Sequence, residues 1–393
     1  MDVPMIVWLL TVAGIVGMLV FDFVVHVRKA HCPTLREAAV WSALYVGIAL
    51  LFGVGVLVFG GTAMGTEYFA GYVTEKALSV DNLFVFLVVM SSFRVPRANQ
   101  QKVLLFGIVF SLVARTGFIL LGAALLELFS WVFYLFGLVL LVTAGNLIKP
   151  ASEENRNADN VMVRLARKLF RTSDDYDGDK LFTVVRGRRV MTPMLLVMVA
   201  IGGTDLLFAL DSIPAIFGLT QHVFIVFTAT AFSLLGLRQL FFLIDGMLNR
   251  LVYLSYGLAV ILGFIGVKLI LHALHENNLP IINNGEPVAV AEIGTGLSLA
   301  VIFAILVVTV IASLTSQWGR AQNVIASARR HAIEFLEIEE DDPERRAEVF
   351  AMLCTEEMTL KRLPEKYRAR IREEEKLMDL LRRAHAEHAR MAV

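Results

Sequence analysis

Two apolar stretches of the chain carry acids at the same spacing. Glu75 and Asp81 lie in EKALSVDN (75–82), and Asp205 and Asp211 in TDLLFALDS (204–212), each pair six residues apart. A carboxylate at the centre of a bilayer costs at least ~2.5–3.5 kcal/mol on insertion scales, so four such groups need partners or a task. Asn82, Ser79, Thr204 and Ser212 add neutral oxygens, and neither stretch contains Cys or His. An oxygen-only set suits Mg²⁺, Ca²⁺ or Mn²⁺ rather than copper or zinc, and residue types alone do not choose among the three.

Charge counting sharpens the point. Glu75, Asp81, Asp205, Asp211 and Asp245 are five acids in apolar runs, against three bases, Lys76, Arg115 and Arg238. Asp245 follows Arg238 by seven residues, which puts both on one helical face and makes it that arginine's expected private partner. Setting that pair aside leaves four acids and two bases, a deficit that a divalent cation or protons would fill. The competing reading is a network of ion pairs in which Lys76, Arg115 and Arg238 merely lock helices together. Spacing adds a constraint: residues six apart differ by about 240° around a regular helix and do not share a face. Each acid must then meet a different neighbour, or the helix must unwind. Gly202, Gly203 and Pro214 flank the second pair and predict local unwinding there.

The elements that would carry these acids are membrane helices. The chain has 393 residues, 57% hydrophobic and 18% charged, with a mean hydropathy of +0.67. Runs of about 20 apolar residues, enough to cross ~30 Å of hydrocarbon, occur at 5–26, 38–60, 67–92, 103–126, 130–148, 191–217, 222–246, 250–272 and 291–316. The expected fold class is therefore all-α and polytopic, with nine spans. The first run is longer than a signal peptide core and no basic residue precedes it, so it is read as a mature helix.

Lys and Arg fall on alternate connections: Arg28, Lys29 and Arg36; Arg94, Arg97 and Lys102; Lys149 to Arg189; Arg250; and Arg320 onward. The intervening connections, around 61–66, 127–129, 218–221 and 273–290, have none. The bias predicts an outer N-terminus and a cytoplasmic C-terminus. VARTGFILLG (113–122) parallels GLRQLFFLID (236–245) through Arg115 and Arg238, and FGLVLLVTAGNLIK (136–149) parallels YGLAVILGFIGVKLI (256–270). Spans three to five and six to eight thus read as an inverted three-helix repeat, a recurrent build for secondary transporters. The expected organisation is two peripheral helices (1–60), a first repeat (61–149), a cytoplasmic loop with a short hairpin (150–190), the inverted repeat (191–273), an outer loop with a ninth helix (274–316), and a cytoplasmic helical tail (317–393).

The segments GTEYFAGYVTEKALSVDNLFVFLVVMSSFRVP (65–96), DDYDGDKLFTVVRGRRVMTPMLLVMV (174–199), GTDLLFALDSIPAIF (203–217) and FIVFTATAFSLLGLRQLFFLI (224–244) resemble, in order, the signature segments of the TerC family of bacterial integral membrane proteins. The resemblance covers roughly 35–272. It implies placement in a superfamily of cation and amino-acid exporters, with links to manganese efflux, metal delivery to exported enzymes and tellurium resistance. Carried over by position, Glu75, Asp81 and Asn82 match the first acidic motif, Asp205, Asp211 and Ser212 the second, and Arg115 and Arg238 the intramembrane arginines. Many members have a glutamate where this chain has Gly202, which bears on ion selectivity.

Elsewhere the sequence is plainer. DDYDGDK (174–180) fails as a calcium loop, because Lys180 and Arg186 replace its glycine and terminal glutamate. The stretch around Arg186–Gly187 predicts a hairpin. The tail holds 15 Lys or Arg and 16 Asp or Glu after Gln317, and predicts helices at 323–338, 343–362 and 365–390, with His331, His385 and His388 facing solvent. Cys32 and Cys354 are read as unpaired cytoplasmic thiols, and Asp22 with His26 as a local pair. Nothing resembles a nucleotide-binding motif.

Taken together, these features predict a bacterial plasma-membrane exporter and not an enzyme. A divalent cation, with Mn²⁺ leading, would cross by alternating access in exchange for H⁺ or Na⁺. Glu75, Asp81, Asn82, Thr204, Asp205, Asp211 and Ser212 would form the metal set, and Lys76, Arg115 and Arg238 would balance charge. No permanent cofactor and no nucleic acid are expected. The partners are the bilayer, the ions and a protein at the tail. The alternative is a membrane scaffold or metal-delivery protein recruiting partners through that tail, or an exporter of another cationic solute.

Overall fold

The computed structural model describes residues 3–24, 35–93, 95–129, 131–148, 178, 180–185, 188–245, 253–276 and 282–316. In the tail it describes most of 321–336, then 343–361 and 374–391. The elements are α1 (Met5–Asp22), α2 (Leu35–Ser92), α3 (Arg97–Leu128), α4 (Val132–Ile148), β1 (Phe182–Val185), β2 (Arg188–Met191), α5 (Pro193–Phe217), α6 (Val223–Leu234), α7 (Leu237–Asp245), α8 (Leu254–His275), α9 (Thr295–Thr315), α10 (Pro343–Lys361) and α11 (Glu374–Met391). Among the described residues seven helices are long and apolar enough to cross a membrane, and α4 is a shorter apolar helix. The chain is an all-α polytopic membrane protein.

Helix α2 contains two of the apolar runs expected from the sequence. Its only non-helical residue is Gly61, at φ 88° and ψ 171°, a conformation open to glycine. The two arms fold back on each other around it. A Cβ on Gly65 would stand 2.8 Å from the Leu57 Cα, one on Gly53 would meet Tyr68 and Phe69, and the Tyr68 hydroxyl donates to the Ala49 carbonyl at 2.9 Å. Glycines at 53 and 65 let the two backbones touch, the device that small residues serve between membrane helices.

The second arm of α2 then runs against α5 and α6, with Gly71 facing Ile216 and Ala229. Their shared apolar packing includes Tyr68, Tyr72, Ile213, Ile216, Phe224 and Ala229, all buried. Helices α4 and α8, the two segments with parallel sequence patterns, pack antiparallel: Gly137 faces Gly266 and Ile270, and Ala144 faces Gly263. β1 and β2 pair antiparallel with Val185 opposite Arg188, where the hairpin was expected.

One expectation fails here. Helix α5 is continuous from Pro193 to Phe217, without unwinding at Gly202 or Gly203 and with Pro214 inside it. Both glycines are buried, and a Cβ on Gly202 would stand 2.9 Å from Phe110, so the missing side chain serves close packing rather than a break. The break falls instead in the seventh apolar run. Leu235 leaves helical geometry at ψ 134° and Gly236 takes φ +79°, separating α6 from α7.

The tail forms a unit with its own core. Ile325, Ala328, Ala332 and Phe335 pack with Val349, Leu353, Leu360, Leu377, Leu381 and Ala384. His385 and His388 are exposed, as expected, whereas His331 is partly buried. His331 Nδ1 lies 2.9 Å from Glu356, His385 Nε2 lies 2.7 Å from Glu357, and His388 stacks on Phe350 at 3.7 Å and 5°.

Candidate functional site

Arg115 on α3 is 1% exposed and is the largest fully buried side chain. Its Nη1 donates to Glu75 Oε2 at 2.7 Å and to Ser212 Oγ at 3.0 Å, while Nε and Nη2 reach the two Asp205 carboxylate oxygens at 3.4 Å each. Glu75 comes from the second arm of α2, and Asp205 and Ser212 from α5. Gly71 opposite Ile216 and Glu75 near Ser212 show these two helices running in opposite directions past the arginine. Asp211 is half-buried, within electrostatic range of the same guanidinium, and one turn after the exposed Leu207. It stands at the edge of the cluster. The two α5 residues that bond the arginine, Asp205 and Ser212, are seven apart and so share one face of a regular helix, while Asp211 does not share it.

Two carboxylates, Glu75 and Asp205, therefore bond one guanidinium, and Asp211 lies farther along α5 within electrostatic range of it; ionised together, the three acids exceed the one base by two charges. The oxygen inventory is also incomplete. Glu75 Oε1 is buried without a hydrogen-bond partner, as are the hydroxyls of Thr74, Ser79 and Ser111. Ser79 lies one turn after Glu75 and Ser111 one turn before Arg115, on the faces that carry the charged groups. Buried polar atoms are almost always bonded, so these unpartnered oxygens are the atoms beside Arg115 left free to bind a ligand.

The other expected site residues divide. Thr204 and Asn82 are buried, and the Thr204 hydroxyl donates to the Ala200 carbonyl at 2.7 Å, one turn back along its own helix. The side chains of Asp81 and Asp245 lie outside the described residues. Lys76 and Arg238 stand apart from the Arg115 cluster. Lys76 donates to the carbonyls of Ser233 at 3.1 Å and Leu235 at 3.4 Å. Arg238 belongs to a separate cluster, donating to Asp22 from Nε at 3.1 Å and Nη2 at 2.7 Å, and to Gln101 Oε1 from Nη1 at 2.5 Å. Gln239 and Tyr45 donate to the same Asp22 at 2.8 and 3.1 Å. Asp22 thus serves Arg238 across the fold, not only its neighbour in sequence; His26 lies outside the described residues. Neither base bonds Glu75 or Asp205, so the excess of acid at Arg115 stands.

Among the described residues no group of three or more His, Cys, Asp or Glu is gathered closely enough to hold a metal ion as it stands. The reason is visible: Arg115 occupies the middle of the acidic cluster. A separate cavity of about 420 Å³ is lined by Glu67, Thr220, His222, Lys268, His272 and Glu292, with Thr220 donating to Glu67 at 2.5 Å. Gln221 and His222 line it too.

The model of the family described as integral membrane protein TerC matches residues 60–321, which include every residue of the Arg115 cluster. The chain belongs to the TerC family. An uncharacterised membrane protein of Mycobacterium tuberculosis is 60% identical over 386 residues, 97% of each chain, and its Mycobacterium bovis counterpart matches equally well. A TerC-type relative from Escherichia coli K12, named as a proposed membrane-bound redox modulator, Alx, is 37% identical over 303 residues, 75% of this chain and 89% of that protein. No solved structure matches the chain significantly.

Proposed function

We propose that this TerC protein exports a divalent cation, with Mn²⁺ as the leading cargo, by alternating access through the Arg115 cluster. The carrying observation is the convergence of Glu75 and Asp205 on one buried guanidinium, with a Glu75 oxygen left unpartnered and Asp211 farther along the same helix as Asp205. Arg115 acts as the resident counter-charge of the cargo-free site. A divalent cation takes its place among the carboxylates, and the guanidinium withdraws along α3 toward Ser111. The oxygen-only donor set favours a hard cation. Asp81, Asn82 and Thr204 belong to the proposed pathway on sequence grounds, and antiparallel α2 and α5 supply the two halves that rock around the site. The proposed setting is the bacterial plasma membrane, N-terminus outside and tail in the cytoplasm, with an ion gradient as the energy source.

Mn²⁺ uptake into inverted vesicles tests the reading. Glu75→Gln and Asp211→Asn should each cut the initial rate at least tenfold while the protein still accumulates. Full transport by the double variant would refute the assigned site. The scaffold reading draws on the separate apolar core of the tail. Chains ending at Thr315 should still transport if export is the activity, and should lose function if recruitment is.

A further inference from the structure

The α6–α7 break exposes backbone oxygens inside the fold, and one charged group answers them. When the chain leaves helical geometry at Leu235 and Gly236, the carbonyls of Ser233 and Leu235 lose the amide donors a continuous helix would give them. They sit at the negative end of the α6 dipole. The Lys76 ammonium, partly buried beside them, donates to both, at 3.1 and 3.4 Å. Among the described residues it makes no ion pair, although Glu75 is its neighbour in sequence. One turn before Ser233, the Thr230 hydroxyl is 1% exposed and has no hydrogen-bond partner, and the Thr230 carbonyl accepts the Ser233 hydroxyl at 2.8 Å.

Freed carbonyls at the C-terminal end of a broken membrane helix, supplemented by a hydroxyl, are the donor set that holds monovalent cations in transporters with interrupted helices. We propose that the α6–α7 break is a monovalent-cation site that the chain fills with its own tethered cation, the Lys76 ammonium. The two charged places of the core then follow one logic: Arg115 stands among the carboxylates and Lys76 among the carbonyls. Arg115 yields to cargo, whereas Lys76 is a fixed occupant that removes any need for Na⁺ or K⁺ there. The proposal rests on the transporter reading only for that last consequence; occupation of the break by a cation is read without cargo.

The test uses the full chain, purified in detergent without divalent metal, and compares melting in chloride salts of Na⁺, K⁺, NH₄⁺ and choline at equal ionic strength. The wild type should melt within 1 °C in all four, since its site is filled. Lys76→Ala should melt lowest in choline and recover by about 3–5 °C, saturably, in at least one small cation. Lys76→Arg, which keeps a tethered cation, should behave as wild type. Salt-insensitive Lys76→Ala, failure of that variant to fold in any of the four salts, or selective stabilisation of the wild type by Na⁺ or K⁺ would each overturn the proposal. None of these outcomes depends on Mn²⁺ movement, so failure here leaves the export assay standing, and failure there leaves this site standing.

Discussion

Replacing Arg115 by glutamine removes one buried cation that serves two carboxylates, at 2.7 and 3.4 Å. Breaking a buried ion pair from one side costs about 3–5 kcal/mol, because the other charge stays buried without compensation. With two acids stranded, the upper end applies, about 5 kcal/mol. At roughly 2 °C per kcal/mol for a chain of this size, Arg115→Gln should melt about 10 °C below the wild type in EDTA. The reading of the cluster as a cation site then adds a second, opposite effect. Three carboxylates with no guanidinium are a better home for a divalent cation, and Mn²⁺ at 100 times its Kd should return about 2.7 kcal/mol, near 5 °C. The assay is thermal unfolding of the full chain in detergent, in EDTA and over an MnCl₂ series. The triple variant Glu75→Gln, Arg115→Gln, Asp205→Asn should regain most of the stability and ignore Mn²⁺. An Arg115→Gln protein that melts with the wild type in EDTA, or that Mn²⁺ fails to raise, would refute the reasoning.

Two further outcomes follow from the same physics. Asp22→Asn leaves Arg238 buried with only neutral partners and should cost about 3 kcal/mol, while the Mn²⁺-induced shift stays at its wild-type size; a changed shift would tie that cluster to the cargo. In the tail, burial raises the Glu357 carboxyl, but the hydrogen bond from His385, the neighbouring Lys361 and their charges outweigh it and hold the group below its ordinary value of 4.5. Its contribution is therefore complete above pH 4.5 and lost as pH falls through the lower folded value. Hydrogen exchange of α10 and α11 in the full chain should quicken over that window, and Glu357→Gln should flatten the dependence.

The sequence told more about which residues matter than about how they meet. Acids in apolar runs are costly, so Glu75, Asp205 and Asp211 announce themselves, and the same argument singles out Arg115. The helical rise alone then says that acids six apart cannot share a face, but not which neighbour each one meets. That needs the third helix, α3, which approaches α5 closely at Gly202 against Phe110. Lys76 was assigned by counting charge, and counting cannot see that a lysine beside a glutamate points to carbonyls freed by a break on another helix. The glycine that makes the break, Gly236, was in view, but Gly202 and Gly203 offered a stronger signal in the wrong place. Asp22 and Gln101 are polar residues near the ends of apolar runs, a signal that a search for isolated polar groups would have caught. Ser111 was readable too, one turn before Arg115.

The single-residue reversal at Gly61 bears on biogenesis. With Gly65 lying on Leu57 and Tyr68 bonded to Ala49, the arms of α2 are in contact within a few residues of the bend. Contacts this local favour insertion of the two arms as a pair. The first arm, uncharged from Ala38 to Gly60 and joined to the second through Phe52 on Tyr68, then accompanies Glu75 and Lys76 before Arg115 or the α6–α7 carbonyls have been synthesised. A longer, looser connection would ask the second arm to partition alone, with its charges unanswered.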